Sequence, residues 1–345
     1  MRILITTNHP APYIDKWLEV LSMNHQVDAL YFKKKSSEKE WKNYRVKDAF
    51  YNDDFSFRDL LCFFKTYDFI VFGGWFKKIN ILYCVLLKFT NTKTAFFTDY
   101  PEIENQGKFH SFIKKRIIES ADYLFAASYS TKEFFIEKYR IKDSKVRVFP
   151  YAHNFEFESE PNVIFDKIKI FIANRFIERK GYKIVIDSFR VLKEVNKLDE
   201  FEITIVGGGP QYNFYKNEFK KLSDNIVVKE WIEDETYIKY MKASNIYIHA
   251  SIFEPFGIPP LDALQLNKIV IVSDGVKSLN HIKGKVNNPI IYNSTDHEEL
   301  SNILINISIV CHNLNTEESN HKIITEMYNA HTLLRAIPKF DENQK

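Results

Sequence analysis

Cysteine is scarce. Cys62, Cys84 and Cys311 are the only three in 345 residues, too few and too scattered for a zinc site or a disulfide framework. That scarcity fits a reducing compartment. Long apolar runs are missing too. The most apolar region, residues 60–89, is interrupted by Lys65, Asp68, Lys77, Lys78 and Lys88. No run approaches the roughly 18 residues that a membrane span needs. A net charge of +3 carries no large excess of either sign, which argues against a dedicated nucleic-acid binder. The chain enters a strand pattern at once, MRILITT, and reads as having no signal peptide.

What is present points to α/β architecture. The length suits two domains of ordinary size, and 45% apolar residues can fill sizeable cores. Short β-rich runs alternate with longer helical patterns, the signature of parallel sheets. Strands are expected near Ile3–Thr7, Val27–Phe32, Phe69–Phe72, Thr94–Thr98, Tyr123–Ala127 and Val146–Phe149. A mixed-charge linker with Pro150 and Pro161 follows. The second series falls near Ile168–Ala173, Glu202–Val206, Ile226–Lys229, Ile246–His249, Lys268–Ser273 and Pro289–Tyr292. The expected organisation is two doubly wound, Rossmann-like domains, 1–155 and 156–325, with a tail at 326–345. In such folds ligands sit at the carboxyl ends of strands, here in a cleft between the domains.

The most informative stretch is Ser251–Gly275, SIFEPFGIPPLDALQLNKIVIVSDG. Glu254 precedes an aromatic–glycine turn, Phe256-Gly257. Two prolines, Pro259 and Pro260, then open a helix, since proline is tolerated where its missing N–H would be unpaired anyway. Asp262 is expected in that helix's first turn, and Asn267 at its end in the left-handed cap conformation. Free amides at a helix start suit phosphate oxygens or a sugar edge, and carboxylates there accept hydrogen bonds from hydroxyls. Taken singly, Glu254 and Asp262 could equally be helix-start acids favoured by the dipole.

The whole string resembles the E-x7-E signature of the retaining glycosyltransferases of family 4, which have the GT-B fold. It matches at Ser251, Glu254, Pro255, Phe256, Gly257 and Ala263, and departs at Asp262 and Asn267, where the family usually has Glu and Gly. In ANRFIERKG, Arg175 and Lys180 fall on the family's basic pair. A guanidinium and an ammonium beside a helix start can neutralise a diphosphate. The run VGGGPQ resembles the family's strand-then-glycine turn, where Gly208 and Gly209 would let backbone approach a nucleotide. Trp231 or Ile232 sits where relatives edge the base-binding slot.

The first half is less explicit. Asn8 and His9 follow the first strand, on a loop that faces the cleft in this family, and Gly73-Gly74-Trp75 follows the third. Asp99, with Glu102 nearby, ends the strand Thr94–Thr98. It could take a hydrogen bond from an acceptor hydroxyl or cap the next turn. Residues Phe109–Arg116, FHSFIKKR, form a short basic amphipathic stretch, either a solvated helix face or a contact with anionic lipid. The helical pattern at Glu317–Ala336 packs back across the first domain in relatives.

The resemblance implies a retaining, metal-independent glycosyltransferase. A hexose-type sugar would move from a nucleotide-diphosphate sugar to a glycan or lipid-linked acceptor, in bacterial surface polysaccharide assembly. No cofactor and no nucleic acid are expected, and the location would be cytoplasmic or peripheral on the inner face of the membrane. On this reading Arg175, Lys180, Glu254 and Asp99 carry the chemistry. Gly208, Gly209, Phe256, Gly257, Ile258 and Asp262 hold the donor, and Asn8, His9 and Glu102 lie on the acceptor side. The chain has no D-x-D metal motif of the other large glycosyltransferase fold. Alternatives are a catalytically inactive nucleotide-sugar-binding subunit and a same-fold sugar-nucleotide epimerase using Asp99 and Glu102. A glycoside hydrolase would need two carboxylates flanking the bond, a role that Glu254 and Asp262 fill less well than that of donor ligands.

Overall fold

The computed structural model describes residues 1–8, 10–32, 50–73, 78–101, 108–151, 167–282, 288–307 and 327–338. The chain divides into two compact units. One comprises Met1–Asn154 and Tyr328–Lys345, the other Phe155–Met327.

Unit one alternates strand and helix as its apolar runs require. It starts with β1 (Arg2–Thr7), α1 (Pro12–Ser22), β2 (Gln26–Tyr31), β3 (Phe50–Tyr51), α2 (Phe57–Phe64) and β4 (Phe69–Gly73). There follow α3 (Lys78–Leu87), β5 (Lys93–Thr98), α4 (Lys108–Ile118), β6 (Tyr123–Ala126), α5 (Tyr129–Tyr139) and β7 (Val146–Val148). The strands form one parallel sheet in the order β3-β2-β1-β4-β5-β6-β7. Phe69, Ile70, Val71 and Phe72 of β4 are all buried, as a strand covered on both faces must be. The expected strands appear within about a residue of their predicted ends. Sequence reasoning missed β3, whose two residues pair with Leu30 and Tyr31 and are too short to show a period.

Unit two runs β8 (Ile168–Ala173), α6 (Tyr182–Glu194), β9 (Phe201–Val206), α7 (Tyr212–Lys220), β10 (Ile226–Lys229) and α8 (Asp234–Ala243). It continues with β11 (Ile246–His249), α9 (Ile258–Gln265), β12 (Ile269–Ser273), β13 (Ile290–Tyr292) and α10 (His297–Ile305). This sheet is also parallel, in the order β10-β9-β8-β11-β12-β13. After unit two the chain returns to unit one. There α11 (Ala330–Ala336) lies on α1 and β7, and Arg147 donates to the Ala336 carbonyl at 3.1 Å.

In both sheets the order reverses beside the first strand, between β1 and β4 and between β8 and β11. Loops leaving the carboxyl ends of strands at such a reversal diverge and open a crevice. In unit two those loops carry the conspicuous motifs.

Candidate functional site

The loop after β8 is anchored by backbone and by an aromatic stack. Phe176 N–H donates to the Gly208 carbonyl at 2.8 Å, and Gln211 N–H donates to the Phe176 carbonyl at 3.2 Å. The loops after β8 and β9 are thereby stitched together. The Phe176 ring is buried and stacks on Tyr182 with centroids 4.3 Å apart. This fixes Arg175 on one side and the turn Glu178–Lys180 on the other. Gly181 ends the turn at φ 70°, and a Cβ there would fall 1.8 Å from the Ala250 carbonyl oxygen. Only glycine lets the turn press this closely on the end of β11. Ile252 N–H donates to the Arg179 carbonyl at 2.8 Å, completing the docking. The glycine after the basic pair is therefore what delivers Lys180 to the β11 loop.

That loop is equally fixed. Glu254 N–H donates to the Gly275 carbonyl, and Lys277 N–H donates to the Glu254 carbonyl, each at 2.9 Å. Gly257, at φ 89°, turns the chain into α9. The Lys180 ammonium donates to Glu254 Oε2 in a tight ion pair. Its side chains are only 8% and 15% exposed. Burial pushes the Glu254 carboxyl up, but the His249 ring and the Lys180 ammonium prevail and hold it down at about 2. Burial pushes Lys180 below its usual range, opposed by Glu254, while Arg179 and Arg175 add to the lowering.

Behind this pair lies a polar network that sequence reasoning missed. His249 is 2% exposed. Tyr247 OH lies 3.0 Å from the Ala173 carbonyl and 3.0 Å from His249 Nδ1. With its one proton given to Ala173, Tyr247 accepts from Nδ1–H. Arg175 N–H donates to Asn174 Oδ1 at 3.0 Å, which turns the Asn174 amide nitrogen toward His249 Nε2, 3.2 Å away. The same nitrogen donates to Ser251 Oγ at 3.2 Å. Nδ1–H is thus satisfied, and Nε2 faces both the Asn174 amide nitrogen and Glu254 Oε2. Burial also lowers the proton affinity of His249, against the pull of Glu254, whose Oε2 is 3.4 Å from Nε2. The available sequence signal was alternation: Tyr247 and His249 share one side of β11, and Ser251 continues the spacing past its end.

Asp262 is buried and accepts from Tyr237 OH of α8 at 2.8 Å. Because α9 starts at Ile258, Asp262 lies in its second turn. The first-turn placement expected from sequence is corrected: Ile258, ahead of the prolines, already belongs to the helix, so its first turn closes before Asp262. Asn267 has φ 56°, the expected left-handed conformation after the helix end. Phe256 is buried. A Cβ on Gly208 would fall 2.4 Å from the indole of Trp231, an exposed ring. Gly209, at φ 138°, passes against Phe176. Burial, then Asp262 and then Glu233, raise the Asp234 carboxyl.

In unit one, Asp99 follows β5 directly and accepts from Tyr151 OH at 2.9 Å. Asn8 follows β1. His9 and Glu102 lie outside the described residues, as do Gly74 and Trp75. Among the described residues no group of three or more His, Cys, Asp or Glu is placed to hold a metal ion.

Unit two therefore gathers Arg175, Lys180, Glu254 and the N-terminus of α9 at one sheet reversal. Cations beside a helix N-terminus, where Gly257 and Ile258 carry the N–H groups that Pro259 and Pro260 lack, suit a phosphorylated ligand, and the carboxylates suit hydroxyl groups.

Comparison with known proteins agrees. Residues 154–309 match the family described as Glycosyl transferases group 1. Mannosylfructose-phosphate synthase of Agrobacterium fabrum is 25% identical over 206 residues, 51% of this chain and 44% of that protein. The O-antigen chain mannosyltransferase RfbU of Salmonella typhimurium is 24% identical over 187 residues, 51% of this chain and 48% of its own length. The chain thus spans about half the length of these curated relatives. Among solved structures, Anabaena Alr3699/HepE in complex with UDP superposes with a TM-score of 0.73 at 14% identity, covering 97% of this chain and 98% of that one. That likeness establishes the fold, and the GT-B architecture expected from the sequence is borne out.

Proposed function

From a chain whose residues 154–309 belong to the glycosyl transferases group 1 family, we propose a retaining, metal-independent glycosyltransferase. It moves a hexose-type sugar from a nucleotide-diphosphate sugar to a glycan or lipid-linked acceptor, in bacterial surface polysaccharide assembly on the cytoplasmic side. The observation that carries this reading is the Lys180–Glu254 pair beside the start of α9, with Arg175 close by. The UDP held by the Anabaena protein supports a nucleotide donor.

On this reading the donor diphosphate draws Lys180 away from Glu254. Arg175 and Lys180 stabilise the charge that grows as the anomeric carbon–oxygen bond breaks and its electron pair passes to the diphosphate, a term that often dominates catalysis. The freed Glu254 carboxylate accepts hydrogen bonds from sugar hydroxyls. Asp262, oriented by Tyr237, faces the ribose. Backbone at Gly208, Gly209, Phe256, Gly257 and Ile258 frames the nucleotide and sugar. The acceptor oxygen bonds to the anomeric carbon on the face the diphosphate leaves, and the acceptor proton passes to a donor phosphate oxygen. On the acceptor side the candidates among the described residues are Asp99 and Asn8.

A thermal-shift screen without metal, against UDP, GDP, ADP, CMP and their sugar conjugates, tests the donor site. A ligand that binds only the native state must raise the melting temperature. One nucleotide is expected to do so, with the shift lost in Arg175→Ala and Glu254→Ala. A folded protein that responds to none refutes the reading. Asp262, one bond shorter than the family's Glu and already engaged by Tyr237, favours the inactive-subunit alternative. Donor binding without turnover in any acceptor extract would select it.

A further inference from the structure

Helices α3 and α4 lie on the same face of the first sheet. Their strands step one way across it, β4 to β5 to β6, and right-handed crossovers then place both helices on one side. Tyr83, Cys84 and Leu87 of α3 and Ile118 of α4 join the same core cluster. Lys88, just past α3, donates to the Glu119 carbonyl, just past α4, at 3.4 Å. The two helices therefore share one face of the sheet and meet at their C-terminal ends.

Those outer surfaces are apolar. On the α3 side Leu82, Val85 and Phe89 fall at helical spacing i, i+3, i+7, with Phe89 87% exposed. On α4, Phe109, Phe112 and Ile113 fall at i, i+3, i+4, the two phenylalanines 71% and 55% exposed. A helix that is apolar all round is normally covered on every side. Here α3 has the composition for that and an uncovered stripe. Exposed apolar side chains gathered on one face of the sheet in this way mark an interaction site.

The charge around the stripe identifies its partner. Neither helix contains an acidic residue. Lys78, Lys114, Lys115 and Arg116 belong to the helices, and Lys88 follows α3. Arg116 lies over the Phe112 ring at 5.3 Å, so a cation stands at the edge of the most apolar part of α4. Glu119, just past α4, is occupied by Lys115 and Arg116 at 3.9 and 3.7 Å. Two copies meeting through this face would bring like charges together. An anionic bilayer surface meets both demands: headgroups take the cations, and the acyl boundary takes the rings. No described helix is long and apolar enough to cross a membrane, so contact here is with a surface.

We propose that α3 and α4 together form a docking face for anionic membrane. The inference rests on unit one alone and stands apart from the donor site.

The test is sedimentation of the full chain with vesicles of phosphatidylcholine, with and without roughly one-third phosphatidylglycerol. Binding to anionic vesicles is expected to exceed that to neutral ones by about tenfold or more at low salt, and to fall as salt rises. Phe89→Ser with Phe112→Ser should cut it by about tenfold. Lys114→Glu with Arg116→Glu should reduce it to the neutral-vesicle level. Both pairs are surface changes, so melting temperature and nucleotide response should hold. Equal binding to both vesicle types, or serine variants that bind like the parent, would overturn the proposal. So would a dimer that the serine changes convert to monomer while no vesicle binding is seen.

Discussion

The two sheets share a topology, yet their carboxyl ends are furnished differently. In unit two the loops are stitched backbone to backbone and converge charged groups on one point. In unit one the corresponding end is aromatic. Trp17 stacks on Tyr151 at 5.6 Å and meets Phe97 and Phe149 edge-on at 4.8 and 5.0 Å, while its indole N–H donates to the Pro150 carbonyl. Asp99 is held inside that setting by Tyr151. Tyr13, whose phenol is raised by burial and then by Asp99, packs against the Tyr151 ring at 4.7 Å. On the proposed function, the contrast separates two kinds of recognition. A small polyanion needs charges fixed by backbone, and such fixing leaves glycines at set spacing in the sequence. An aromatic wall selects by shape, and many sequences can build one.

The largest effect should come from breaking the ion pair. Lys180→Met leaves a buried carboxylate without its cation and should cost about 3 kcal/mol or more, with nucleotide response abolished. Urea unfolding and the thermal-shift assay read the two losses separately. Adding Glu254→Gln should restore most of the stability and none of the binding. Recovery of binding would mean that the charges are structural, like the aromatic wall.

Next, Gly181→Ala places a Cβ against the Ala250 carbonyl at positive φ. It should cost about 2–3 kcal/mol and weaken nucleotide response by displacing Lys180. A fully responsive variant would show that the turn need not dock.

On the other side of the comparison, Tyr151→Phe removes a hydrogen bond to Asp99. It should lower stability by about 1–2 kcal/mol and leave nucleotide response untouched. Loss of that response would show the two ends to be coupled.

The smallest effect is a slope. His249 has its proton affinity lowered in the folded chain. Its stabilising contribution is thus full above the unfolded value of about 6.5 and is lost as pH falls below it. Between pH 7.5 and 5.5 the parent should lose about 1 kcal/mol more than His249→Gln, measured as unfolding free energy at each pH. Parallel curves would mean that the imidazole titrates normally.

Much of this molecule could be read from its residues, for identifiable reasons. Buried parallel strands such as Ile269–Ser273 are continuous apolar runs bounded by turn residues, so their ends were legible. Arg175, Lys180 and Glu254 stood out because backbone docking imposes fixed spacing. The network behind them did not, since Asn174 and His249 meet across 75 positions and nothing in the string around either one marks the contact. The Tyr237–Asp262 contact escaped for the same reason. The outward stripe of α3 was hidden by its own composition, because a helix apolar on all sides reads as core.

One feature of the fold bears on how the chain is made. Unit one buries Tyr328 and Leu333 and closes with Arg147 on Ala336, yet these pieces are synthesised after all of unit two. During translation the first unit to begin is the last to be completed. Until α11 emerges, part of its surface on α1 and β7 stays uncovered while a whole second unit folds downstream. Nascent chains of this length are where holdase binding should concentrate. Shortening the chain before Tyr328 should injure the half of the molecule farthest from the cut in sequence.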